Sequence, residues 1–183
     1  MKKLIIFSFL VLFLLVACEY KTARTLDTSK LTEKESETTG EFELPFDIYT
    51  APSLEVALDA VPFEVNLPEE LPFDAQPLKV LYIYDFEKDG KKIEVGFSTL
   101  SNNTHTTNFS KNHALLISAR NYETHHLAGE TPGTEVTIKD DIKGKYYESQ
   151  LSFSVEGIYY SLQMLSNAED LKDELLSVAK QMI

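Results

Sequence analysis

Hydrophobic and polar positions divide the chain into three unequal parts. Behind Lys2 and Lys3 an apolar stretch of thirteen residues runs from Leu4 to Val16, with Ser8 its one polar member. From Glu19 to about Glu43 large apolar residues are sparse among Thr, Ser, Glu and Lys, and such a composition does not bury enough surface to fold. Beyond Leu44 the periodicity of packed elements sets in. Ser53 is placed to cap a short helix whose Leu54, Leu58 and Val61 fall at i, i+4 and i+7, with Glu55 in its first turn and Pro62 at its end. Pro62, Pro68 and Pro72 rule out a regular interior element from Phe63 to Pro72. The stretch reads as an arm with apolar anchors at Phe63, Val65, Leu67, Leu71 and Phe73.

After Pro77 the period changes to two. Val80, Tyr82, Tyr84 and Phe86 share one face of a strand, with Leu81 and Ile83 on the other, which predicts a strand apolar on both sides. The Asp-Gly turn within Glu87–Lys91 then leads into Ile93, Val95, Phe97 and Thr99, and the pair reads as a hairpin. Ser101 to Asn112 is a polar loop, Ala114–Ala119 a strand, and Asn121 to Gly133 a second loop. Short strands are expected around Glu135–Ile138 and Lys145–Glu148. A further hairpin follows, with Leu151, Phe153 and Val155 on one strand and Ile158, Tyr160, Leu162 and Met164 on the next. Ser166 and Glu169 match a capping box, and Leu171, Leu175, Val178 and Met182, widened by Leu176 and Ala179, give a helix that covers the face of Tyr160 and Leu162. The expected fold class is α+β: an antiparallel β-sheet of about six to seven strands, with a short N-terminal helix and a C-terminal helix packed on one face.

What closes the first apolar run gives it a meaning. Two positive charges, an apolar core and Leu15-Val16-Ala17-Cys18 resemble the signal of a bacterial lipoprotein. That resemblance implies that residues 1–17 are removed and that Cys18, the chain's one cysteine, becomes a lipidated N-terminus. The run falls short of the roughly 20 residues that span a bilayer, so a retained anchor is the weaker reading. A lone thiol in an exported protein has no intramolecular disulfide partner, and acylation accounts for it. Each buried methylene contributes about 0.8 kcal/mol, so two acyl chains anchor stably. Residues 18–43 are then expected to be the lipidated Cys18 and a flexible tether, with an extended limit near 85 Å, and 44–183 a single domain on the outer side of the cell membrane. Without Lys2 and Lys3, 15 basic residues face 29 acidic ones, a net of −14. Such a surface repels nucleic acid and anionic headgroups, so attachment falls to the diacylglyceryl group on Cys18.

Chemistry-bearing patterns are few. His105, His113, His125 and His126 are the four histidines, and neighbours on an extended chain point to opposite sides, so no metal site is expected. Asp140-Asp141, and Asp85 with Glu87 and Asp89, lack the spacing of a calcium loop. Neither a Gly-x-Ser-x-Gly elbow nor a phosphate-binding loop occurs. The chain is therefore expected to be a non-enzymatic monomer without cofactor. Nine tyrosines and eleven phenylalanines are mostly core material, yet Tyr82, Tyr84, Tyr159 and Tyr160 are candidates to line an aromatic face for a ligand or protein partner.

The arrangement also resembles the extracytoplasmic family called domain of unknown function 4367. The residues that carry the likeness are Leu67–Pro72, Leu81-Tyr-Ile-Tyr84, Lys143-Gly-Lys145, Leu151–Leu162 with Gly157-Ile-Tyr-Tyr160, and the helix from Glu169, across most of 53–183. Such domains often carry Trp on the penultimate strand, where this chain has Phe153. The resemblance implies an α+β domain outside the membrane, in lipoproteins and membrane-anchored regulators, with no enzymatic activity to carry over. A looser likeness is to the half-barrels of lipoprotein carriers and sigma-regulator sensors, which implies a carrier or chaperone for an apolar lipid or lipoprotein as the alternative function.

Overall fold

A computed structural model of the chain describes residues 24–34, 44–71, 73–102, 113–123, 133–166 and 170–183. The leader, Cys18, and residues 35–43 lie outside it. Alternation of large apolar and small polar residues, punctuated by tight turns, generates most of the architecture. Four strands, β6 (Thr134–Lys139), β7 (Ile142–Tyr147), β8 (Gln150–Val155) and β9 (Ile158–Leu165), are joined by the two-residue turns Asp140-Asp141, Glu148-Ser149 and Glu156-Gly157. The first residue of each turn has a positive φ, between 48° and 53°, and Gly157 follows Glu156 at 82°. Mirror-image turns of this kind match the natural strand twist.

The remaining strands are β1 (Thr32–Glu33), β2 (Asp47–Thr50), β3 (Lys79–Asp85), β4 (Ile93–Leu100) and β5 (Ala114–Arg120). All nine form one antiparallel sheet in the order β1-β2-β3-β4-β5-β9-β8-β7-β6. The α+β class holds, with nine strands in place of the six to seven expected. The two additional ones are β1 and β2, whose short, half-buried or exposed segments carry no apolar alternation.

Register decides which residues share a face. Ile83, Val95, Ala119, Tyr160 and Phe153 stand in one row across five strands, and Phe97, Ile117, Leu162 and Leu151 in a second. These rows are the core. Two helices cover them. Helix α1 (Leu54–Ala60) is capped as expected: Ser53 Oγ accepts from Val56 N–H at 3.2 Å, and Ala57 and Ala60 are buried. Helix α2 (Leu171–Gln181) buries Leu175, Val178 and Ala179 against β9, β8 and β6.

Four details depart from the sequence reading. A bulge between Val80 and Tyr82 sets Val80 opposite the core residue Phe97 and leaves Leu81 42% exposed, so Val80 does not share the face of Tyr82. The expected cap Ser166 is not the N-cap of α2. That position falls to Asp170, and Ser166 Oγ lies 2.7 Å from His113 Nδ1; Glu169 is outside the described residues. The third concerns the tether, which was expected to span residues 18–43. Arg24–Lys34 is instead docked: Leu26 is 8% exposed, its N–H donates to Gly90 O and that of Asp27 to Ala60 O, both at 2.9 Å. β1 then pairs with β2 through Thr32↔Thr50. Two isolated leucines, Leu26 and Leu31, anchor the segment, too few to register as a pattern. The fourth is Tyr160, which belongs to the core row rather than to the face of Tyr159.

The proline-rich arm behaves as its anchors suggest. Phe63, Val65, Leu67, Leu71 and Phe73 all pack against the core. Asn66 donates from its backbone to Tyr160 Oη at 3.1 Å and from its side chain to Met182 O at 3.2 Å, while Gln181 accepts from Glu70 N–H at 2.8 Å. The arm thereby pins the end of α2.

Candidate functional site

Both helices lie on the core face, so the opposite face of the sheet is where a site can form. Strand alternation sends Tyr84, Glu94, Arg120, Tyr159 and Ser154 to it as one cross-strand row. At its β3 end the rings of Tyr82 and Tyr84 stack, 4.2 Å apart and 13° from parallel. Phe46 and Phe86 pack on Tyr84, and Tyr122 on Phe86, at 5.2 to 5.8 Å between ring centres. Glu94 ties this cluster together by accepting from Tyr82 Oη–H at 3.0 Å and Tyr122 Oη–H at 3.3 Å.

Gly96 makes that geometry possible. Strands seldom use glycine in their interior, but here the ring of Tyr82 lies flat on its backbone, so close that an added Cβ would sit 2.4 Å from Tyr82 Cζ.

Burial first, and the Glu94 carboxylate second, push the Tyr82 and Tyr122 phenols well above the ordinary tyrosine range. The unfolded chain ionises these groups near pH 10. Their contribution to stability is therefore complete below about pH 10 and declines as the pH rises beyond it, because the unfolded state releases the protons first. A tyrosinate absorbance titration is expected to show a late component that coincides with loss of fold and moves to lower pH in Glu94→Gln. A single step near pH 10 with the fold intact would contradict this.

Farther along the row the face opens into a cavity of about 370 Å³. Arg120, Lys143 and Lys145 reach it from β5 and β7, Glu123 and Glu135 oppose them, and Ser152, Ser154 and Tyr159 complete this part of the wall. Lys143 Nζ pairs with Glu135 Oε1 at 2.8 Å, between exposed groups, and the Glu135 carboxyl is held below its usual range by that hydrogen bond and charge. In volume the cavity is at the lower end of small-molecule sites.

Of the four tyrosines expected to act together, Tyr82, Tyr84 and Tyr159 share this face. Tyr160 does not. Consecutive strand residues point to opposite sides, so it belongs to the core face, 3% exposed, where it lines a smaller cavity of about 280 Å³ with Phe63, Glu64 and Asn66; together with Phe153 it is also among the residues lining the larger cavity beside Tyr159. Glu94, Gly96, Arg120, Lys143 and Lys145 were missed by sequence reasoning. Their one signal was a charge or glycine at an alternate position of an otherwise apolar strand.

Other candidate ligands resolve into structural roles. Asp140-Asp141 forms a turn, Asp85 Oδ2 accepts from Gly90 N–H at 2.7 Å, Asp89 pairs with Lys91, and Glu87 with Lys92. His113 stacks on Phe73; His105, His125, His126 and Cys18 lie outside the described residues. No cluster of three or more His, Cys, Asp or Glu able to hold a metal ion occurs among the described residues. Nor is any described helix long and apolar enough to cross a membrane.

Fold and face together define a nine-stranded antiparallel sheet with helices on one side and a mixed aromatic and charged surface on the other. No known protein family, curated protein or solved structure matches the chain.

Proposed function

We propose that the chain is a lipid-anchored extracytoplasmic binding protein, without enzymatic activity, whose sheet face opposite the two described helices receives a ligand or protein partner at the cell envelope in a sensing or regulatory role. The observation that carries this reading is Leu15-Val16-Ala17-Cys18 at the end of an apolar run behind two lysines. The open face with Tyr82, Tyr84 and Tyr159 gives such a protein something to bind with. The carrier reading fits less well. An acyl chain needs an apolar trough, whereas the larger cavity is walled by Arg120, Glu123, Glu135, Lys143 and Lys145.

Cys18→Ser tests the anchor. Expressed in a bacterial host, the parent chain is expected in the membrane fraction, with an N-terminal peptide heavier by a diacylglyceryl group on Cys18. The variant is expected to lose that mass and to appear in the soluble extracytoplasmic fraction or as unprocessed precursor. Equal fractionation with normal processing of both chains defeats the proposal.

A further inference from the structure

Two independent features converge on the cavity beside Tyr159. The first is charge. A chain of net −12 gathers Arg120, Lys143 and Lys145 against two carboxylates at this cavity. Lys143 is taken up by Glu135, whereas Lys145 has no ion-pair partner within 4.0 Å among the described residues. A guanidinium from β5 and an ammonium from β7, reaching one cavity from two sides, suit an oxyanion. Beside them, Ser152 and Ser154 supply hydroxyls and Tyr159 an aromatic ring, which suits a small hydroxylated ring better than an alkyl chain.

The second feature is position. Arg120 pairs with Glu94 at the start of β4, Tyr159 follows the Glu156-Gly157 turn, and Lys143 follows the Asp140-Asp141 turn. These turns and the β3–β4 turn therefore lie at the same end of the strands. Asn121 locks that end by accepting from Ile93 N–H at 3.0 Å and donating to Lys91 O at 2.7 Å. The docked N-terminal segment reaches the sheet there too, through Leu26 N–H to Gly90 O. Only seven residues lie between Cys18 and Leu26, and the eight Cα–Cα steps have an extended limit of about 28 Å.

We propose that the cavity of Arg120, Lys145, Ser152, Ser154 and Tyr159 binds a phosphate-bearing sugar or polyol presented close to the bilayer surface. The placement near the bilayer rests on acylation of Cys18; the ligand chemistry does not. The ligand has two sources, a free sugar phosphate or the same chemistry on a lipid headgroup.

Saturation-transfer NMR on the full chain in neutral phosphatidylcholine vesicles tests this with glucose 1-phosphate and, as the uncharged control, glucose. Transfer to glucose 1-phosphate and none to glucose is expected, with at least a tenfold weaker affinity in Lys145→Glu and Tyr159→Ala and no change in Lys180→Glu on α2. Vesicles doped with phosphatidylinositol separate the sources: displacement of glucose 1-phosphate assigns the headgroup, and undiminished transfer assigns the free sugar phosphate. Equal transfer to glucose, no transfer to either probe, or an affinity that Lys145→Glu leaves intact overturns the proposal. The Cys18→Ser chain, assayed in the same way without vesicles, distinguishes failure of the site from failure of the anchor.

Discussion

Phe97→Ala is expected to lower the free energy of unfolding by about 3–5 kcal/mol. Phe97 is fully buried in β4, opposite Val80 on one side and Ile117 on the other. It is thus held between neighbours on two strands that cannot move together to fill the space a methyl would leave. Domains of this kind have about 5–15 kcal/mol in total, so the variant should unfold at a markedly lower urea concentration with little change in the slope of the transition. A loss below about 1 kcal/mol would mean that this part of the sheet is not closely packed.

Gly96→Ala is the second large effect, and it acts on the open face. The new methyl forces the Tyr82 ring off the strand, which breaks both its stack on Tyr84 and its hydrogen bond to Glu94. A hydrogen bond to a charged group contributes about 1.5–3 kcal/mol and an aromatic pair about 0.5–1.5 kcal/mol, so a cost of about 2–4 kcal/mol is expected. A double-mutant cycle isolates the cause. In a Tyr82→Ala background the same glycine substitution should cost almost nothing, and a cost unchanged by the loss of the ring would show that Gly96 serves some other purpose.

The sheet's second half was legible because each strand carries its own signal. Leu151 and Phe153 alternate with serines, Gly157 marks a turn, and Ile158 to Met164 alternate again. The same holds for α1, where Ser53 and the spacing of Leu54, Leu58 and Val61 were enough. What could not be read is what depends on distant partners. Leu26 is buried where its own N–H meets Gly90 O and that of Asp27 meets Ala60 O, and no local pattern encodes that meeting. The bulge at Leu81 exists in the register between β3 and β4, not in either strand alone.

The open face follows the same rule. Tyr82 and Tyr84 sit two apart on one strand, so their shared side was visible in the alternation. The row from Glu94 through Arg120 to Tyr159 draws on three strands and appears only once β5 is known to pair with both β4 and β9. Placing Tyr159 and Tyr160 on one face overlooked the period of two, although both line the same cavity.

The three tight turns of the β6–β9 meander have a kinetic consequence. Neighbouring strands there meet after closing loops of two residues, whereas β5 finds β9 only by joining Arg120 to Tyr159 across the whole of that unit. Loop-closure entropy favours local pairings first. The meander is thus the natural nucleus, and once it has collapsed the separation that β5 must bridge shrinks to the stretch preceding β6. The early half of the chain, whose β3–β4 hairpin is itself local, is then expected to add to a template laid down by the late half, an order of assembly opposite to that of synthesis.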